Sequence, residues 1–466
     1  MMFDTAIYWL FFFSVMALML AVRLLRTRAL FLVAASFFFY GFWDVRFLVL
    51  LLVSMLANFI LGLVVVDQRG NPSSKWLIVG ITSNLIILGF FKYYNFFAQS
   101  FANLVGVPAD HWAITIILPI GISFYTFEGI AYLVDIYWKH IAARKNVLDF
   151  ALFISFFPHL VAGPIIRPES FFPQLDQGCE VSRADVRWSF IQIGKGLFKK
   201  GVFADSMAIV ADAYFNGSQG TSAFIGLLAF TLQIYFVFSG YTDIARGCAQ
   251  LLGFRFPTNF ERPYLASNIS EFWRRWHISL SGWLRDYLYI PLGGNRASRF
   301  ARYRNYLVVM GLGGLWHGAN WNFLIWGLYH GLLLLMHRVF LDFAPKRVMA
   351  RLDNQIGHAA GVVLTASLVA LGWIPFRAAS FEKASEALKA LLNGSGYQLM
   401  QIPPSVIAAV LVPAVFCAID RGRRIQNWLA FQASLGVYLV MLGGLLWLTT
   451  IFSYRGNSIP FIYFQF

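Results

Sequence analysis

The feature that most constrains this chain is the recurrence of apolar runs close to the length of a membrane crossing. They fall near 6–22, 29–43, 47–66, 76–91 and 113–134, then at about 221–239, 305–316, 319–336, 359–375, 404–419 and 430–452. A helix needs about 20 apolar residues to cross the hydrocarbon core. Within that core, only helices or closed barrels pair every backbone polar group. The expected fold is an all-α polytopic membrane protein with roughly 11–12 transmembrane or re-entrant helices. A further run at 150–166 is interrupted by Pro158, Gly163 and Pro164, and is expected to be a broken or re-entrant helix.

Composition agrees. Residues are 59% hydrophobic and 13% charged, where a soluble domain carries about 25% charged residues. The 48 Phe, 15 Trp and 20 Tyr suit lipid-facing surfaces and interfacial belts. The chain has 37 basic against 22 acidic residues, net +15. In a soluble protein this excess suggests nucleic acid. Here the cations sit mainly in the links between apolar runs, so membrane topology accounts for them and no nucleic-acid partner is expected. Arg23, Arg26 and Arg28 follow the first run, Lys139, His140, Arg144 and Lys145 the fifth, and Arg421, Arg423 and Arg424 the one at 404–419. Placing these clusters in the cytoplasm puts both termini outside a cell membrane. The first run lacks a basic lead and a small-residue cleavage site, and is read as a retained span.

Several chemistries are unsupported. Cys179, Cys248 and Cys417 form no motif. No HExxH or H-x-x-x-H spacing suggests a metal, no G-x-S-x-G elbow a serine hydrolase, and no P-loop an ATP-driven pump. No repeat of 20–50 residues is present.

Chemistry concentrates between Ser270 and Gly331. His317 lies in GGLWHGANW, an apolar setting where an ionisable group defaults to a functional hypothesis. Gly313, Gly314 and Gly318 leave room beside it, and Trp316 and Trp321 would wall it in. A neutral imidazole there could accept a proton from a hydroxyl. His277 lies in FWRRWHISLSGWLRDYLYIPLGG. Read as one helix, this segment puts Trp273, Trp276 and Leu280 on an apolar face, with Arg274 and Arg275 beside it able to meet phosphates. Each residue also fits a plainer role: a hydrogen-bonded core histidine for His317, an interfacial anchor for the segment around His277. His159, in FPHLVAGPIIRP, fits either a functional site or a helix break. Glu128, Asp135, Asp243 and Glu271 could orient a histidine or pair with an arginine, and His330 is expected to be a hydrogen-bonded core residue.

WRRWHISLSGWLRDYLYIPLGGNR followed by GLWHGANWNFLIWGLYHG resembles the membrane-bound O-acyltransferase superfamily. The nearer likeness is to its bacterial branch of alginate O-acetyltransferases, with relatives in cellulose acetylation and in D-alanyl transfer to teichoic acid. FPHLVAGPIIRP, SGYTDIARGCAQLLGF, NFERPYLASNISEFW and SFFFYGFWD extend the likeness over most of the chain. The resemblance implies a single membrane domain over 1–466, with N-terminal helices in 1–145, a catalytic core in 146–340 and C-terminal helices in 341–466, around a central funnel or tunnel. It implies catalytic roles for His317 and His277. With the residue readings above, Arg274, Arg275, Trp273 and Trp276 become candidates for donor binding, and His159, Trp316, Trp321, Asn320, Asp243 and Glu271 for tunnel support.

The resemblance further implies no resident cofactor or metal, and a thioester donor such as acetyl-CoA taken from the cytoplasm. It implies acetylation of an exopolysaccharide of alginate or cellulose type at the bacterial inner membrane. Expected partners are a periplasmic polysaccharide acetyltransferase of SGNH type, the polysaccharide-synthesis machinery and membrane lipid. D-alanyl transfer to an envelope polymer, or a non-catalytic transporter, are the alternatives.

Overall fold

The computed structural model describes residues 1, 3, 5–21, 25–67, 69–108, 112–216, 222–345, 347, 352–393, 412 and 422–452. Among them the chain is helical and forms no named strand. The first half contains α1 (Ala6–Ala21), α2 (Leu25–Gly41), α3 (Val45–Val64), α4 (Ser74–Leu88), α5 (Tyr94–Val105), α6 (Ile122–Tyr137), α7 (Val147–Ser155), α8 (Phe157–Leu160), α9 (Pro168–Asp176) and α10 (Arg183–Phe198). The second contains α11 (Asp205–Phe215), α12 (Ala223–Leu251), α13 (Ile269–Arg275), α14 (Ile278–Leu284), α15 (Arg299–His317), α16 (Trp321–Phe343), α17 (Gln355–Arg377), α18 (Phe381–Leu392), α19 (Gly422–Phe431) and α20 (Leu435–Phe452).

Among the described residues, six helical stretches are long and apolar enough to cross a membrane: α3, α4–α5 as one 32-residue helix, α12, α16, α17 and α20. The chain is a multi-pass membrane protein. In α12, 89% of the apolar window is covered by protein, against 6% in α20, so α12 is a core helix and α20 a lipid-facing one.

The structure redraws three expected runs. The run at 76–91 continues through a widened turn, Gly89–Tyr93, to Val105. The run at 113–134 yields only the 16-residue α6, buried from Ile122 to Ile136, so α6 faces protein instead of lipid. Pro119 and Gly121 stop it from starting earlier. Pro119 disfavours helical backbone before it. Gly121 has φ +76°, and a Cβ there would lie 2.5 Å from the Leu160 carbonyl oxygen. The run at 221–239 extends to Leu251 and takes Asp243 and Arg246 onto the same helix. The expected break after residue 150 is present: α7 ends at Ser155, Phe156 leaves the helix with ψ 106°, and only the single turn α8 follows. The run at 404–419 apart from Val412, and Cys417, Arg23, Lys346, Arg351 and Arg421, lie outside the described residues, as do the side chains of Arg26, Arg423 and Arg424.

The chain divides into two compact units, residues 1–193 with 241–257, and residues 194–240 with 258–466. In the first, α3, α4 and α6 pack closely because small residues meet large ones: a Cβ on Gly62 would lie 2.5 Å from the Tyr132 ring. Asn58 and Asn84 exchange side-chain hydrogen bonds of 3.1 and 2.7 Å, pairing polar groups that would be costly in lipid. In the second unit, Tyr214 donates to the Ala387 carbonyl at 2.7 Å, and Arg377 pairs with Asp212.

Candidate active site

His277 and His317 both belong to the second unit and are 4% and 6% exposed. His277 is not on a continuous helix. The chain leaves α13 at Trp276 and turns through His277 at φ +42° before α14 begins. This left-handed conformation is uncommon for a side chain with a Cβ, and histidine tolerates it better than most. Asn259 holds it in place. Its carbonyl accepts from the Ile278 amide at 2.9 Å, and its side chain accepts from the Ser279 amide and hydroxyl at 3.0 and 2.9 Å. The apolar face expected of one helix is therefore split. Trp273 and Trp276, both expected to meet a donor, are buried among other rings of this unit.

His317 is the last residue of α15, where Gly318 turns the backbone away. α15 and α16 then pack backbone on backbone: a Cβ on Gly314 would lie 2.1 Å from the Phe323 carbonyl oxygen, and one on Gly327 2.2 Å from that of Met310. This contact sets His317 edge-on to Trp326 at 5.0 Å and to Phe376 at 5.3 Å. Trp316 touches both histidines, its ring nearly perpendicular to each, 6.1 Å from His277 and 5.0 Å from His317. The two imidazole centroids are therefore no more than about 11 Å apart, the sum of those distances. Phe260 and Phe238 complete the wall on the His277 side.

Trp321, expected to flank His317, is 53% exposed at the start of α16. Trp326 and Phe376 wall the histidine where Trp321 was expected to. Asn320 caps α16 by accepting from the Asn322 amide at 2.8 Å, which is a structural task. Glu271 is likewise occupied: it accepts from the Ser267 amide and hydroxyl at 2.7 and 2.9 Å and pairs with Arg275. Arg275 also donates to the carbonyls of Arg262 and Leu265, whereas Arg274 is exposed.

His159 and Asp243 belong to the first unit. His159 is fully buried, with its Nε2 3.0 Å from Glu128 Oε1. The same carboxylate oxygen accepts from the Ile166 amide at 3.2 Å and so ties down the irregular stretch after α8. Asp243 accepts from the Gln192 amide.

Burial pushes the His277 pKa down to about 4, so its imidazole is neutral at physiological pH. Its Nδ1 has no hydrogen-bond partner among the described residues. A neutral imidazole presents one donor and one acceptor nitrogen. Two buried histidines packed on one indole can thus receive a proton at one ring and donate a hydrogen bond from the other. The sequence did not reveal Trp326, Trp373, Phe376 or Asn259 as parts of this site. They lie up to about sixty positions from the histidines they support, and no local pattern marks them. His330 was expected to be hydrogen-bonded, yet neither ring nitrogen has a partner among the described residues.

A family model described as MBOAT, the membrane-bound O-acyltransferase family, matches residues 139–363 and so includes both histidines. Over 404 residues the chain is 42% identical to a probable alginate O-acetylase of Pseudomonas putida, with 84% of this chain and 80% of that protein covered. A peptidoglycan O-acetyltransferase of Helicobacter pylori is 38% identical over 409 residues, 80% of this chain and 75% of the relative. A teichoic acid D-alanyltransferase of Bacillus subtilis is 26% identical over 274 residues, 56% of this chain and 69% of the relative.

Proposed function

This chain belongs to the membrane-bound O-acyltransferase family and is an acyltransferase; from that premise we propose that it moves acetyl groups from acetyl-CoA, supplied on the cytoplasmic side of a bacterial inner membrane, to a hydroxyl of an envelope or extracellular polysaccharide. The observation that carries the reading is the pair of buried histidines packed against the same indole, Trp316.

His317 is the general base. Its imidazole accepts the proton of the acceptor hydroxyl as that oxygen attacks the thioester carbonyl. The new C–O bond forms, the C–S bond breaks, and the leaving thiolate takes the proton from His317. His277 donates from one ring nitrogen to the acceptor oxygen and orients it toward the thioester carbonyl. Its neutrality suits this task, because a neutral ring can donate one bond without carrying a charge into a buried site. Arg274, exposed beside the site, meets the phosphates of the donor. The relatives named for alginate and peptidoglycan support a polysaccharide acceptor. A periplasmic SGNH-type partner that receives the acetyl on a serine, and the polysaccharide-synthesis machinery, are the partners this reading calls for.

The test is incorporation of radiolabelled acetyl from acetyl-CoA by the purified protein in proteoliposomes, with acceptor polysaccharide and the periplasmic partner. His317→Ala should reduce transfer by about 10² to 10⁴-fold with the melting temperature unchanged. Full transfer by the folded variant would refute the assignment of the base. Transfer from an aminoacyl carrier thioester, with none from acetyl-CoA, would move the chain to the D-alanyl reading, and label uptake into the lumen without ester formation would make it a transporter.

A further inference from the structure

Beside His317 lies a group of buried polar atoms with no partner. His330 is fully buried, and both its ring nitrogens are unpaired among the described residues. The same holds for the indole nitrogens of Trp273, Trp326 and Trp373, whose residues are 8%, 1% and 1% exposed. The four side chains form one contact cluster around His330 and Trp326. The His330 ring lies 5.2 Å from Trp273, 4.9 Å from Trp326 and 6.3 Å from Trp373. Trp326 lies 5.9 Å from Trp273 and 5.7 Å from Trp373, and on its other side it meets His317 at 5.0 Å. Gly372 packs close against one imidazole edge, where a Cβ would lie 2.9 Å from His330 Nε2.

Proteins pair roughly nine-tenths or more of their buried polar groups, so five unpaired nitrogens in one contact cluster call for a partner that the described chain does not supply. Indole nitrogens only donate, so that partner must be an acceptor. The surrounding ring faces favour an uncharged one, because a bare charge is expensive in such a setting. The acyl end of a short thioester meets both demands, with one carbonyl oxygen, a methyl group and a sulfur.

We propose that His330 and the indole N–H groups of Trp273, Trp326 and Trp373 form the seat of the acyl carbonyl of the donor, next to His317. The inference rests on the acyl-transfer reading and adds the residues that bind the reacting group. Trp326 couples the seat to the base, because it touches His330 on one side and His317 on the other.

The experiment uses the full chain in nanodiscs with acetonyl-CoA, a ketone analogue of acetyl-CoA that cannot transfer its acyl group, carrying a ¹³C carbonyl. Isotope-edited infrared difference spectra read the carbonyl stretch. In the wild type it shifts to lower frequency than in water. Trp326→Phe and Trp373→Phe each keep a ring but remove one N–H, and each should reduce that shift. His330→Phe combined with Trp326→Phe should abolish it. In turnover, the single variants should lose kcat by about 10²-fold with a much smaller change in KM. A carbonyl unshifted on the wild type, an analogue that does not bind, or variants that keep the full shift would each overturn the proposal and leave water as the partner of these groups. Wild-type turnover of acetyl-CoA, measured alongside, separates the two readings. If it persists while the carbonyl stays unshifted, only this inference fails; if no thioester is turned over, the acyl-transfer reading fails with it.

Discussion

Gly314→Ala tests how the active-site geometry is set. Gly314 lies one helical turn before His317, where α15 meets α16 without side chains between them. The added Cβ would lie 2.1 Å from the Phe323 carbonyl oxygen and 3.0 Å from both Cα and N of Gly327. All three are backbone atoms, so no rotamer change relieves the clash. Reaching an ordinary contact of 3.4 Å requires the helices to part locally by about 1.3 Å. His317 rides on one helix and Trp326 on the other, so their 5.0 Å contact opens by a similar amount. Overpacking of this kind costs about 1–3 kcal/mol in stability. A displacement of about 1 Å at a reacting group can cost about 10²-fold in rate. Acetyl transfer in proteoliposomes, with melting temperature in detergent, reads both effects. Gly311→Ala is the control, because its Cβ would meet only the ends of Leu328 and Leu324 at 3.3 and 3.5 Å, and these can move aside. A Gly314→Ala protein with wild-type kcat and an intact fold, or equal damage from Gly311→Ala, would refute the claim that this backbone contact positions the base.

Other expectations follow from the same geometry. Arg274→Ala should raise KM for acetyl-CoA and leave the melting temperature unchanged, while Arg275→Ala, which loses Glu271 and two backbone carbonyls, should lower the melting temperature; steady-state kinetics and thermal melts separate them. Glu128→Ala leaves the Ile166 amide and His159 without their acceptor and should cost about 1–3 kcal/mol for each orphaned donor, with Glu128→Gln milder, as read by melting temperature. For His277, the folded pKa of about 4 lies below the 6.5 of an unperturbed imidazole, so between these values the unfolded chain binds a proton that the folded chain refuses. Stability should therefore fall as pH drops from 6.5 toward 4, and His277→Gln should flatten that part of a melting-temperature-versus-pH curve.

Much of the membrane character could be read directly, because apolar length is a local property. α3, α16, α17 and α20 lie where their runs predicted, and Pro158 with Gly163 marked the break after α7. The errors arose where burial in protein and burial in lipid demand the same residues. α6 is as apolar as a span, yet protein encloses it. The segment 269–284 has helical spacing throughout, but Asn259, ten positions upstream, stabilises a left-handed turn at His277 that the helical pattern does not record.

By itself, the sequence determined that the chain crosses a membrane many times and pointed to His277 and His317 as the candidates for its chemistry, since hydropathy, charge placement and a dense motif are all written along the chain. Only the tertiary structure decided which rings enclose those histidines: Trp316 against both, Trp326 and Phe376 against His317, and Trp321 left at the surface. The physical reason is that close packing depends on which small residues allow two backbones to touch. Gly314 and Gly327 do so across two helices, and neither glycine announces its partner in the sequence.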